Sequence, residues 1–243
     1  MHGGVFAPLL RELEPHFQCY VIDLPGHGLS DERGLAFHQT VDRLLTMLPS
    51  AHWLGWSLGG LFALEAALRA PDRVLSVVQI AASPRFVVGA DWPHAVSPAV
   101  FSQFADDLAR DYAATIERFL ALEVQGDAHA RSEIRWLRER LALCPPSDPR
   151  VLVDGLAILA QTDLRAELAH LQMPSLWIAG KRDRLVPWAA LQAAANAAPG
   201  ARFVLIEGAG HAPFLGHPRQ VAAAILAALS GPQAASARLN QMG

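Results

Sequence analysis

The sequence predicts an α/β domain in which a mostly parallel sheet is flanked by helices and interrupted by an all-helical insertion. Short, nearly continuous apolar runs alternate with helical patterns, as in strands covered on both faces. One such run passes through Gly55-Trp56-Ser57-Leu58-Gly59 straight into a helical pattern, so one hydroxyl stands where a strand stops and a helix starts. From about residue 84 to residue 164 the strand signal vanishes and only helical periodicity remains.

Taken in order, residues 5–13 place Phe6, Leu9, Leu10 and Leu13 on one helical face. Residues 18–22 are a short apolar run that reads as a buried strand, followed by a loop, 23–30, rich in turn formers. Asp23 and His27 in that loop are either catalytic candidates or, the simpler reading, side chains that tie down a tight turn. A helix is predicted over 39–48 and a strand over 51–54. The helix after Ser57 carries Leu61, Leu64, Ala67 and Leu68 on one face and stops before Pro71. Residues 74–80 are β-branched and nearly continuous in apolar residues, the pattern of a strand covered on both faces.

The insertion then groups Phe101, Phe104, Leu108, Ile116, Phe119 and Leu120 on one segment. Ile134, Leu137 and Leu141 mark a second, and Val151, Leu152, Leu156 and Leu159 a third. Such a block between two strands of a parallel sheet is expected to cover the strand ends as a lid. The sheet resumes at 175–179, with Asp183 in its exit loop, and again at 203–206, with His211 in the loop beyond. Helices are predicted over 188–198 and 221–229. The expected division is a core of 1–83 and 165–230, a lid of 84–164 and a flexible tail of 231–243.

At 243 residues and 52% hydrophobic the chain suits one domain with a large core. A net charge of −3 gives no reason to expect nucleic acid. Cys19 and Cys144, the two cysteines, suggest neither a disulfide framework nor a metal site. No apolar run approaches the roughly 18 residues of a membrane span and no signal-peptide pattern is visible. The expectation is a monomer in the cytoplasm, without cofactor or metal.

Serine near neutral pH needs a base within reach, and the base needs a carboxylate to orient it. Ser57, Asp183 and His211 each follow a predicted strand, and in open α/β sheets such groups collect at the strands' C-terminal ends. Among ten histidines His211 alone lies in a glycine-flanked loop at a late strand end; His217 leads into a helix and His52 lies within a strand. Asp183 has a second reading as one charge in the run Lys181-Arg182-Asp183-Arg184. Arg131, Arg135 and Arg138, at i, i+4 and i+7, form a basic stripe that is either a docking face or a solvated one, with Glu133 and Glu139 beside it.

These motifs together resemble an α/β-hydrolase, and within that superfamily the chain is similar to the pimeloyl-acyl-carrier-protein methyl ester carboxylesterases of biotin synthesis. The resemblance covers about residues 5–229. It rests on Val21-Ile22-Asp23-Leu24-Pro25-Gly26-His27-Gly28, Trp53-Leu54-Gly55-Trp56-Ser57-Leu58-Gly59-Gly60-Leu61, Glu117-Arg118-Phe119-Leu120-Ala121-Leu122 and His211-Ala212-Pro213-Phe214. It implies Ser57 as nucleophile, His211 as base then acid, Asp183 as its orienter and the Leu58 N–H as one oxyanion donor. It also implies contacts to the substrate from Trp56, Phe119, Leu120, Ala121, Leu122 and position 123, and docking of an acidic acyl-carrier protein on Arg118, Arg131 and Arg135.

Three positions depart from the pattern. Glu123 stands where glutamine is expected, and Ala114 where another arginine would be. Met1-His2-Gly3-Gly4 imitates a His-Gly-x-Gly oxyanion loop but has no strand before it, and by position falls just after that loop. The strand expected there would lie between those at 18–22 and 51–54, which suggests a start placed too late and leaves the second oxyanion donor open. Two other readings stand beside the esterase. One is a related hydrolase acting on small free esters or carbon-carbon bonds; the other is a non-catalytic binding protein on the same scaffold.

Overall fold

The computed structural model describes residues 1–229 apart from 32, 33, 124, 126, 128 and 146, so the tail expected at 231–243 lies outside the described residues. Four strands, β1 (Ala51–Trp56), β2 (Val74–Ile80), β3 (Ser175–Gly180) and β4 (Arg202–Ile206), form one parallel sheet in the order β1-β2-β3-β4. Trp56 lies opposite Ile80, Ile80 opposite Ile178, and Gly180 opposite Ile206. The register therefore brings the C-terminal ends of the strands to one edge of the sheet. β3 is buried at every position and β2 at all but Leu75, which is why both read as nearly unbroken apolar runs.

Helices cover both faces, the α/β class expected. Alternation along the strands sends Val77 and Trp177 to one core and Val78, Leu176 and Ile178 to the other. The first core is closed by α2 (Phe37–Met47), α3 (Leu58–Arg69) and α8 (Trp188–Ala197). The second is closed by α1 (Ala7–Leu13), which follows a 3₁₀ turn at Gly3–Phe6, and by α9 (Pro213–Gly216) and α10 (Pro218–Leu229). Between β2 and β3 run α4 (Pro98–Arg110), α5 (Tyr112–Glu123), α6 (Ala130–Leu141) and α7 (Pro149–Gln161). These contribute to both cores: Val151 and Ile158 of α7 to the first, Leu120 of α5 and Leu137 of α6 to the second.

Two local expectations are corrected. Residues 18–22 form no strand; Tyr20, Val21 and Ile22 are 53%, 45% and 38% exposed. An apolar run becomes a strand only where a neighbour takes up its N–H and C=O groups, and no strand lies between this run and β1 among the described residues. The apolar stripe from Phe101 to Leu120 is also two helices, broken at Asp111, whose backbone leaves the helical region and whose Oδ1 accepts the N–H of Ala114 at 3.0 Å. Phe104 and Phe119 still meet across the break, their rings 5.6 Å apart.

Candidate active site

Ser57 occupies the sharp turn from β1 to α3 with φ 51° and ψ −122°, a left-handed conformation that costs a residue with a side chain energy. The turn is held on two sides: the N–H of Ser57 donates to Ile80 O at 3.0 Å, and the N–H of Gly60 donates to Ser57 O at 2.9 Å. A Cβ on Gly55 would collide with the backbone of Gly59 and Gly60, and one on Gly60 with Ala82 and Gln79. Gln79, a buried amide one residue before the end of a mostly apolar strand, donates from Nε2 to Gly60 O at 3.1 Å and so braces the turn. The Ser57 hydroxyl does not cap α3. Leu58 opens that helix, so its N–H has no acceptor within it and is free for an oxygen held beside Ser57.

Asp183, in the loop after β3, is fully engaged. Its Oδ1 accepts from the N–H groups of Leu185 at 2.8 Å and Val186 at 2.9 Å, and its Oδ2 accepts from Nδ1 of His211 at 2.8 Å. That bond fixes the imidazole tautomer, leaving Nε2 as the nitrogen able to take a proton. His211 is 1% exposed. Burial works against its charged form, but the carboxylates of Asp183 and Glu123 outweigh it and raise the imidazole pKa to about 9. Trp56 ties the two halves together: its Nε1 donates to His211 O at 2.9 Å, and its ring packs against His211 and Phe214. Among the described residues no hydrogen bond joins the Ser57 hydroxyl to His211; such contacts often tighten only around substrate.

Glu123, implied by the resemblance as a substrate contact, ends α5 with its carboxyl 1% exposed and Oε2 at 3.9 Å from Nε2 of His211. Its main-chain oxygen accepts the N–H of His211 at 3.0 Å. Burial is the main reason its pKa rises to about 7; Asp183 adds to the rise, while His211 and the Met1 amine oppose it. Leu120 is buried in the second core, Phe119 is half-buried against Phe104, and Ala121 and Leu122 face outward. Arg118 is exposed, donating to Asp107 at 3.3 Å and to Thr115 at 2.9 Å. Arg131 and Arg135 lie exposed on α6, whereas Arg138 of the stripe is held by Glu117.

Asp23 and His27 act as loop ties: Asp23 accepts from Gly3 at 2.6 Å and Leu29 at 2.8 Å, and His27 Nδ1 donates to Pro25 O at 3.0 Å. Sequence reasoning passed over Gln79 and Asp127. Asp127 Oδ2 accepts the N–H of Gly210, directly before His211, at 3.1 Å. A buried amide near the end of a mostly apolar strand was a signal for Gln79; nothing local marks Asp127. Among the described residues no group of three or more His, Cys, Asp or Glu side chains is placed to hold a metal ion, and no helix is long and apolar enough to cross a membrane.

The family model described as the alpha/beta hydrolase fold matches residues 1–218. The chain is 56% identical over 227 residues to a pimeloyl-[acyl-carrier protein] methyl ester esterase of Xanthomonas campestris pv. campestris, covering 93% of this chain and 89% of that protein. A protein of the same description from Stenotrophomonas maltophilia is 54% identical over 235 residues, covering 95% and 90%. Among solved structures, an esterase from Exiguobacterium antarcticum superposes with a TM-score of 0.85 at 20% identity, covering 95% of this chain and 88% of that one. A bromoperoxidase from Bacillus anthracis gives 0.86 at 21% identity, with the same coverage. At such identities the solved structures speak to the fold alone.

Proposed function

The chain belongs to the alpha/beta hydrolase fold family, and on that premise we propose that it is a serine carboxylesterase. Its substrate in this reading is the methyl ester of pimeloyl-[acyl-carrier protein], cleaved to pimeloyl-[acyl-carrier protein] and methanol in biotin biosynthesis. The observation that carries the reading is the buried Asp183–His211 pair at 2.8 Å, fastened through Trp56 to the turn that strains Ser57. The names of the relatives supply the substrate.

Ser57 Oγ attacks the ester carbonyl carbon while His211 Nε2 takes its proton. The carbonyl electrons move onto oxygen, which the Leu58 N–H at the start of α3 stabilises. The tetrahedral intermediate collapses, the bond to the methoxy oxygen breaks, and His211 returns the proton so that methanol leaves. Water, deprotonated by His211, then attacks the acyl-enzyme; the pimeloyl carboxylate departs and Ser57 regains its proton. The thioester to the carrier is not touched. Helices α4–α7 act as the lid, with Phe119 and Leu120 on the acyl side and Arg118, Arg131 and Arg135 receiving the acidic carrier. With His211 1% exposed, the lid must lift for substrate to enter.

Intact-mass measurement after a fluorophosphonate probe tests the chemistry. One adduct on the chain and none on Ser57→Ala is expected, followed by methanol release from methyl-pimeloyl carrier protein. A folded chain without adduct would favour the binding-protein reading.

A further inference from the structure

Glu123 has no part in the ester chemistry above, yet its carboxyl lies beside the working nitrogen of the base. Three observations bear on it. Among the described residues its Oε2 is buried without a hydrogen-bond partner. That oxygen lies 3.9 Å from His211 Nε2, on the opposite side of the ring from Asp183. Its main-chain oxygen holds the N–H of His211, so side chain and backbone act on the same residue. A buried carboxylate without a hydrogen bond is costly, and it persists most readily where positive charge appears beside it.

We propose that Glu123 is a positioning residue that acts through His211, flanking the imidazolium formed during attack with a second carboxylate opposite Asp183. The proposal rests on the reading of His211 as the base. Among the described residues, the charged groups that act on the ring are Asp183 from the loop after β3 and Glu123 from the end of α5. The Met1 amine, itself beside Asp23 and Glu123, faces the pair from the N-terminal segment, and Asp127 reaches the backbone at Gly210. Asp183 is already engaged by three hydrogen bonds of its own, whereas Glu123 Oε2 has none among the described residues.

Two consequences follow with opposite signs. An ionised Glu123 favours protonated His211, which supports the charge that develops as Ser57 loses its proton. The same charge holds the resting imidazole protonated to higher pH, so the free base appears only as the pH rises through the pair's titration. Glutamine keeps the shape and removes the charge. E123Q should therefore move the acid limb of the pH–rate profile down by about one pH unit or more. Below the original midpoint the variant should react about tenfold faster for each such unit, while its alkaline plateau falls a few-fold.

The test is the rate of fluorophosphonate labelling of Ser57 between pH 5 and 10, together with an NMR titration of the His211 imidazole, on the whole chain and on E123Q. A lower His211 midpoint in E123Q, matched by the labelling limb, is the expected result. An unchanged midpoint with a uniformly altered rate would mean a merely structural glutamate and would overturn the proposal. If neither protein labels at any pH, the esterase reading fails while the His211 midpoint still decides the role of Glu123. If E123Q does not fold, the wild-type titration decides. Coupling requires the Glu123 carboxyl and the His211 ring to respond over the same pH interval, and independent single steps would overturn it.

Discussion

Gly55 and Gly59 flank the same serine in the sequence, but only one of them is needed for space. A methyl group on Gly55 runs into the backbone of Gly59 and Gly60, whereas one on Gly59 meets nothing within 4 Å, and Gly59 sits inside α3. Gly59→Ala should raise stability by about 0.5–1 kcal/mol and leave probe labelling of Ser57 intact. Gly55→Ala should abolish labelling and lower the melting temperature, as thermal denaturation of both variants would show. His27 offers a second check. Burial, helped by the Met1 amine, pushes its pKa down to about 4. Below about pH 6.5 the unfolded chain therefore takes up a proton that the folded one refuses, and stability drains away as the pH falls toward 4, by up to about 3 kcal/mol. Urea unfolding at pH 7 and pH 4.5 should show a smaller acid loss in His27→Asn than in the wild type. At this scale the sequence was legible where chemistry leaves a local mark. Gly-x-Ser-x-Gly marked Ser57, and positions just after strands marked Asp183 and His211. Glu123 carried no such mark, because its closeness to His211 depends on how α5 packs over a loop some 90 residues away.

Elements were read well where their pattern and their surroundings agree. The runs at 74–80 and 175–179 became β2 and β3 nearly to the residue, since strands covered on both faces must be apolar throughout. The run at 18–22 is equally apolar and failed, because pairing is a property of neighbours and no window of sequence contains it. The break at Asp111 was hidden for a related reason: two helices that pack on each other share one stripe of apolar residues. The basic face of α6 was visible from spacing alone, but the structure divides it. Arg138 is held by Glu117, while Arg131 and Arg135 stand exposed. Reversing Arg131 and Arg135 together to glutamate should lower kcat/KM for a carrier-bound ester about tenfold at low salt, with the difference shrinking as salt is added. A small p-nitrophenyl ester should be turned over at the unaltered rate. Equal loss on both substrates would place the damage in the active site instead of at a docking face.

Across the molecule, the site is assembled from groups far apart in the chain that the parallel sheet gathers at one edge. Ser57 follows β1, Asp183 follows β3, His211 follows β4, and Glu123 comes from the helices between β2 and β3. Those helices also set the terms on which the chain finds its fold. β1 and β2 are joined by a single helix, but β2 cannot pair with β3 until the whole stretch from Ile80 to Ser175 has been looped out. The entropy of closing a loop grows only with the logarithm of its length, about 0.6 kcal/mol for each doubling. Lengthening the link between α6 and α7 by ten glycine and serine residues should thus cost less than about 1 kcal/mol at equilibrium. Its mark would be on the rate: contacts distant along the chain form slowly, so the β1–β2 pair is the natural nucleus and the β2–β3 seam the late step. A link whose length weighs so little on stability is free to be lengthened or shortened over generations while the sheet beneath it stays the same, and a scaffold of that kind can reshape what covers its site without relearning how to fold.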